Sequence, residues 1–243
     1  MRKPFLEFVA DNIVLVDGAM GTEIYAHGVF INTCYDHLNL TNPKLVREIH
    51  IAYLDAGADV IETNTFGANR IKLQKHGLEK EIQAINYQGA KIAREEAGDD
   101  IYVAGSVGPL GERLEPWGIL SEKEARDIYQ EQAKPLIDAG VDVLSLETFS
   151  DLHLIQQAII GIREKFDIPL MAQMTIGDDG NSLFGTPPER LAVKMKDFGA
   201  DIVGINCSVG PKVMMEAVEK MVAAVDIPVS VMPNAGIPQN VDG

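Results

Sequence analysis

The segment DIVGINCSVGP (201–211) carries an apolar run to Asn206, Cys207 and Ser208 and then turns through Gly210-Pro211. A thiol in that place can be a small hydrophobe, a nucleophile or one arm of a metal site. A zinc thiolate needs two or three partners. The only other thiol, Cys34, lies in the connecting stretch FINTCYDHLNL, where it is expected to be structural or to line a pocket. Other apolar runs end in polar groups too: Asp17, Thr63 with Asn64, Ser106, Glu147 with Thr148, Gln173 with Thr175, and Asn234. No lysine stands at such an end, which argues against Schiff-base chemistry. The five histidines (27, 37, 50, 76 and 153) fall in expected helices or loops, with no His-x-His pair for a hydrolytic metal centre. Asp17 and Glu147 could face each other as paired carboxylates. The aromatic platforms of a sugar site are scarce, however, with a single Trp117.

Three stretches resemble one another: DAGADVIETNTF (55–66), DAGVDVLSLETF (138–149) and DFGADIVGINCS (197–208). Each places a glycine where a helix would end in a left-handed cap, then an Asp and a β-rich run. Helices are expected before them. PKLVREIHIAYLDAG has apolar positions at helical spacing. SEKEARDIYQEQAKPLIDAG opens on a capping box, Ser121 with Glu124. TPPERLAVKMKDFG is expected to repeat that device with Thr186 and Glu189, with Pro187 at the first helical position. Further strands are expected at 13–21, 102–109, 169–177 and 228–236, and helices at roughly 79–97, 151–165 and 211–225. Apolar strands alternating with amphipathic helices predict a parallel α/β sheet. Polar groups at nearly every strand end, and no G-x-G-x-x-G after the first strand, favour a (β/α)8 TIM barrel over a doubly wound sheet. Seven strands do not close that cylinder. The expectation is a single barrel domain over 1–243, incomplete at its C-terminal side, with strand 8 missing.

The composition excludes several functions. The 243 residues carry a formal net charge of −15, from 21 basic and 36 acidic side chains. That disfavours nucleic acid and anionic membranes as partners. Two cysteines make no disulfide framework and point to a reducing, cytoplasmic setting. No apolar run approaches the roughly 18 residues of a membrane span.

Seven motifs lie in order along the chain: DGAMGTE (17–23), ETNTFGANRIKLQKHGL (62–78), SVGPLGE (106–112), LETFSD (146–151), MT-x10-GT (174–186), GINCSVGP (204–211) and PNAG (233–236). Together they resemble the homocysteine S-methyltransferase family, which includes the N-terminal module of cobalamin-dependent methionine synthase and proteins fused to a methylenetetrahydrofolate reductase. The resemblance implies a (β/α)8 barrel holding Zn2+ through three cysteines. One follows the Gly-x-Asn of strand 6 and matches Cys207. The other two form a Gly-Gly-Cys-Cys-Gly motif on strand 8. It further implies methyl transfer to the thiol of homocysteine, giving methionine. A thiol bound to zinc loses its proton and can attack a methyl group.

By the same resemblance Asp17 and Glu147 are candidates to take the substrate ammonium. Its carboxylate would meet backbone N–H groups in the turn through Ala19 and Met20, with hydroxyls of Thr63 or Thr65. Asn206 and Asn234 would fix metal and substrate by hydrogen bonding. The methyl donor would be methylcobalamin on another module, or a small molecule such as S-methylmethionine or a betaine. Two alternatives stand beside this: a non-catalytic fragment that binds homocysteine without zinc, and an unrelated barrel lyase or hydrolase using Asp17 and Glu147.

Overall fold

The computed structural model of the chain describes residues 2–236. Its sheet has six parallel strands in sequential order: β1 (Val60–Glu62), β2 (Tyr102–Val107), β3 (Val143–Phe149), β4 (Leu170–Met174), β5 (Ile202–Asn206) and β6 (Val229–Met232). Each neighbouring pair is joined through helix, as a parallel connection requires. In chain order the helices are α1 (Phe5–Asp11), α2 (Met20–Ala26), α3 (Leu38–Thr41), α4 (Pro43–Asp55), α5 (Arg70–Gln74), α6 (Ile82–Ala97), α7 (Glu122–Asp138), α8 (Leu152–Arg163), α9 (Pro188–Phe198) and α10 (Pro211–Ala224). The result is an α/β fold whose sheet is an open half-barrel.

Two apolar layers hold the sheet. Residues such as Val103, Leu144, Leu146, Ala172, Val203 and Ile205 pack outward on α6 to α10 and form the main core. The alternate residues Val60, Tyr102, Ala104, Val143, Met171 and Ile202 point inward, where Phe5 and neighbouring side chains of α1 close the lower end. Burial on both faces is why these strands read as continuous apolar runs.

The three similar stretches turn out to be register devices. Gly57, Gly140 and Gly199 end α4, α7 and α9 at φ +98°, +90° and +111°, a region costly for any side chain. The Asp that follows then accepts a backbone N–H from the segment before it, which for Asp142 and Asp201 is the preceding strand. Asp59 Oδ2 takes Leu15 N at 2.9 Å, Asp142 Oδ2 takes Val103 N at 2.7 Å and Asp201 Oδ2 takes Leu170 N at 2.9 Å. Arg94 and Arg163, from the preceding helices α6 and α8, pair with Asp142 and Asp201.

Two expectations are corrected. The strand expected at 13–21 is reduced to one parallel bridge, Val16 to Val60. Val60 N and Asp59 N donate to Leu15 O, and Asp17 N donates to Val60 O. The next ladder bond would run from Glu62 N to the Asp17 carbonyl. The Asp17 carboxylate takes that N–H instead, at 2.9 Å, and the pairing stops. The sheet therefore has six strands rather than seven. The capping box at Ser121 and Glu124 is present, but Thr186 caps nothing. α9 starts at Pro188 behind Pro187 without a side-chain cap. Thr186 is drawn into a turn, its N–H on Ser182 Oγ at 3.1 Å and its carbonyl accepting Ser182 N at 3.0 Å.

Candidate active site

The inner face of the sheet opens into a cavity of about 1650 Å³, running from Phe5 and Val9 below to Cys207 and Asn234 above. The nine residues given a role from the sequence line it, namely Asp17, Ala19, Met20, Thr63, Thr65, Glu147, Asn206, Cys207 and Asn234, whereas the polar strand end at Gln173 and Thr175 does not. How each is held differs.

Glu147 owes its position to an irregularity in β3. Pairing with β4 runs through Leu146 and Ala172 and resumes at Phe149 and Met174, so β3 carries one extra residue there. Such a bulge re-aims side chains at a sheet rim. Thr148 sits in it at φ +61°. Glu147 Oε1 accepts the Ser106 hydroxyl, and Oε2 accepts Asn206 Nδ2 at 3.3 Å. Asn206 Oδ1 accepts Thr148 N at 2.8 Å, and Asn206 Nδ2 reaches Thr148 Oγ1 at 2.8 Å and Cys207 Sγ at 3.5 Å. Thr148 Oγ1 lies 3.7 Å from the same sulfur.

Cys207 and Ser208 follow β5 at φ +58° and +65°. Together with Thr148 these are the three non-glycine residues in left-handed geometry among those described. Each costs about 1 to 3 kcal/mol and persists only where the surroundings impose it. Here Cys207 N donates to Met232 O at 2.9 Å, and Asn234 N donates to Val209 O at 3.1 Å. The Cys207 turn and the end of β6 thus hold one another.

Thr63 and Thr65 are buried with their hydroxyls already used. They bond to each other, Thr63 Oγ1 accepts Ser106 N, and Thr65 Oγ1 donates to Ser106 O. The turn through Ala19 and Met20 opens α2, and Ala19 O accepts the Tyr53 hydroxyl at 3.2 Å. Gly18 lets that ring in, since a Cβ there would stand 2.9 Å from it. Cys34 is half-buried on the cavity, 3.9 Å from Asp36 Oδ2, and its thiol is pushed up by burial and by that carboxylate.

A third carboxyl escaped the sequence reading. Glu62 ends β1 on the inward face, beside Asp17 and Glu147. Its position after Val60 in a strand of alternating faces was the available signal. Burial raises all three carboxyls. Asp17 is pushed up to about 8 by burial and then by the Glu147 charge, against the Glu62 N–H. Glu62 is raised well above its usual range by burial and by its two acidic neighbours. Glu147 is raised by burial, opposed by the Ser106 bond and by Lys72. Burial also raises the Cys207 thiol, Thr148 opposes, and Glu147 and Glu62 raise it further. The surroundings therefore favour a neutral thiol, and a thiolate there needs a cation against it.

Zinc takes three or four N, O or S donors. Among the described residues no group of three His, Cys, Asp or Glu side chains could hold a metal ion, and Cys207 is the one thiol at the strand ends. The described residues by themselves do not fit zinc.

Polar groups converging at strand ends over a deep cavity define an α/β protein with its site at the carboxyl end of a parallel sheet. The homocysteine S-methyltransferase family profile matches residues 14–243, and the chain belongs to that family. The chain is 34% identical over 251 residues to methionine synthase of Mycobacterium tuberculosis, and equally to that of Mycobacterium leprae. Each alignment covers 96% of the chain, which spans only 21% of the length of either relative. Among solved structures, the metallated homocysteine methyltransferase MmuM of Escherichia coli superposes with a TM-score of 0.85 at 24% identity, covering 96% of this chain and 88% of that one. Its oxidized form gives 0.84 at 25%, covering 97% and 87%. No described helix is long and apolar enough to cross a membrane.

Proposed function

We propose that this chain binds homocysteine on the carboxyl side of its sheet and presents the thiol for methylation, giving methionine. The observation that carries this reading is the placement of Cys207. In a chain of this family it stands on a strained turn at the cavity lip, within reach of Asn206 and Thr148 and one hydrogen bond removed from Glu147. In this reading Glu147 and Asp17 take the substrate ammonium, the amides of Ala19 and Met20 take its carboxylate, and Asn206 keeps Glu147 and Thr148 aimed at one point. Thr63 and Thr65 serve as the floor, since their hydroxyls are bonded inward. Asn234 borders the lip from the other side.

Cys207 would be one thiolate of a zinc site whose other donors lie outside the described residues, in a (β/α)8 barrel completed by an eighth strand. Zinc would supply positive charge to stabilise a thiolate that burial and the neighbouring carboxyls disfavour at Cys207. The methyl donor would be methylcobalamin on a separate module or a small methylated cation.

The test is titration calorimetry with homocysteine and with alanine, with zinc per chain measured in parallel on wild type and Cys207→Ser. Homocysteine is expected to bind at least about tenfold tighter than alanine, and Glu147→Gln to weaken it about tenfold or more. Zinc is expected to fall in Cys207→Ser. Equal affinity for the two amino acids would overturn the substrate assignment. Zinc unchanged in Cys207→Ser would remove Cys207 from the metal.

A further inference from the structure

The cavity holds more acceptor capacity than its hydrogen bonds use. Asp17 Oδ1 and Glu62 Oε1 are shut off from bulk water and meet no donor among the described residues, and the Ser145 hydroxyl is equally without a partner. An unmatched buried polar atom costs about 1 to 3 kcal/mol. Three carboxyls around one space add repulsion. The three are not equally committed. Glu147 already accepts from Ser106 and Asn206, and Asp17 accepts the Glu62 amide. Around Glu62 only the Ser145 hydroxyl favours the charged form, and it stands outside hydrogen-bond geometry. Lys72, whose charge acts on Glu147, makes no ion pair with any of the three carboxyls; its Nζ lies over the Phe66 ring at 4.3 Å. A primary ammonium brings three donors on one compact charge, which suits orphaned oxygens converging from several strands.

We propose that Glu62 is a specificity-determining residue, which receives the substrate ammonium between Asp17 and Glu147 and makes the site choose an α-amino thiol over the same thiol without its amino group. This rests on the homocysteine reading and adds a residue to it. Asp17 comes from the segment paired to β1, Glu62 from β1 and Glu147 from β3, so the three carboxyls surround the ammonium from separate strand positions. A des-amino ligand would leave the Asp17 and Glu62 oxygens unmatched.

The test compares homocysteine with 4-sulfanylbutanoic acid, which lacks only the α-amino group, by calorimetry on wild type, Glu62→Gln and Glu62→Asp. Wild type is expected to prefer homocysteine by about tenfold or more. Glu62→Gln is expected to lose about tenfold for homocysteine while holding 4-sulfanylbutanoic acid within about twofold. Glu62→Asp is expected to recover part of the preference, which a merely structural role would not do. An unchanged ratio in Glu62→Gln, or equal losses for both ligands, would overturn the proposal. If Glu62→Gln does not fold, Glu62→Asp decides: the ratio must fall with the des-amino ligand unaffected. Wild type that binds homocysteine no better than alanine would instead sink the homocysteine reading itself.

Discussion

Every residue of β2, β4 and β5 is buried, whereas all four residues of β6 keep some exposure. At the opposite margin Ile13 and Leu15 are 100% and 53% exposed beside the single bridge at Val16. The contrast extends to the site. Ser106, Glu147 and Asn206 stand on interior strands and hold one another across three of them. Asp17 and Asn234 stand at the margins, each held by one or two backbone bonds. The interior strands supply the cross-bonded part of the cavity and the margins its more exposed and less bonded part.

The largest test of that contrast is a pair of truncations. Phe149, at the end of β3, is fully buried with its ring 6.0 Å from that of Tyr129. Phe149→Ala is expected to cost about 3 to 5 kcal/mol in denaturant unfolding. Val231→Ser, on the 43% exposed side chain of β6, is expected to cost less than about 1 kcal/mol. Comparable losses would erase the distinction.

A smaller effect sharpens the comparison at Asp17. The folded chain holds the Asp17 proton more tightly than the unfolded chain, with its carboxyl raised from 3.8 to about 8. Its contribution to stability is therefore full below the unfolded value and is lost as the pH rises through the folded one. Asp17→Asn removes that loss while an amide oxygen can still accept the Glu62 N–H. The variant is expected to gain on wild type by about 1 to 3 kcal/mol as the pH rises from about 4 to 8. Glu62 and Glu147 are shifted the same way, so a residual slope remains in the variant. Parallel stability curves for the two proteins would show that Asp17 carries no such burden.

The smallest effect separates strain from bonding at the ends of the interior strands β3 and β5. Ser208 is exposed at φ +65°, and Ser208→Gly is expected to gain about 1 kcal/mol, read as a rise of about 2 to 4 °C in Tm. Thr148→Gly should not match it, since Thr148 trades strain for its bond from Asn206. A loss of stability in Ser208→Gly would mean that the turn is not strained.

The helices were legible because amphipathic spacing and end signals act within a few residues. Ser121 with Glu124 is visible as a cap without any tertiary knowledge. The failures all involve a side chain diverted by a distant or competing group. Asp17 closes the ladder with its carboxylate, and Thr186 is taken by Ser182. Asp17, Thr63, Glu147, Asn206, Cys207 and Asn234 were legible as polar endings to apolar runs and line the cavity, whereas Ala19, Met20 and Thr65 were reached only through the family resemblance. Glu62 was overlooked because it sits within its run, and its role depends on facing inward beside Asp17 and Glu147. The positive φ of Thr148, Cys207 and Ser208 left no trace in residue type, because the residues that normally announce it, glycine and asparagine, are absent there.

The aspartates at 59, 142 and 201 have a consequence for assembly. Asp142 and Asp201 read the start of the strand before them and Asp59 the segment at the sheet margin, so alignment is set locally at three separate places. A slip of one residue would turn a whole strand inside out. With a separate key at each of these places, such an error strands only its own aspartate without a partner, while the neighbouring keys still engage.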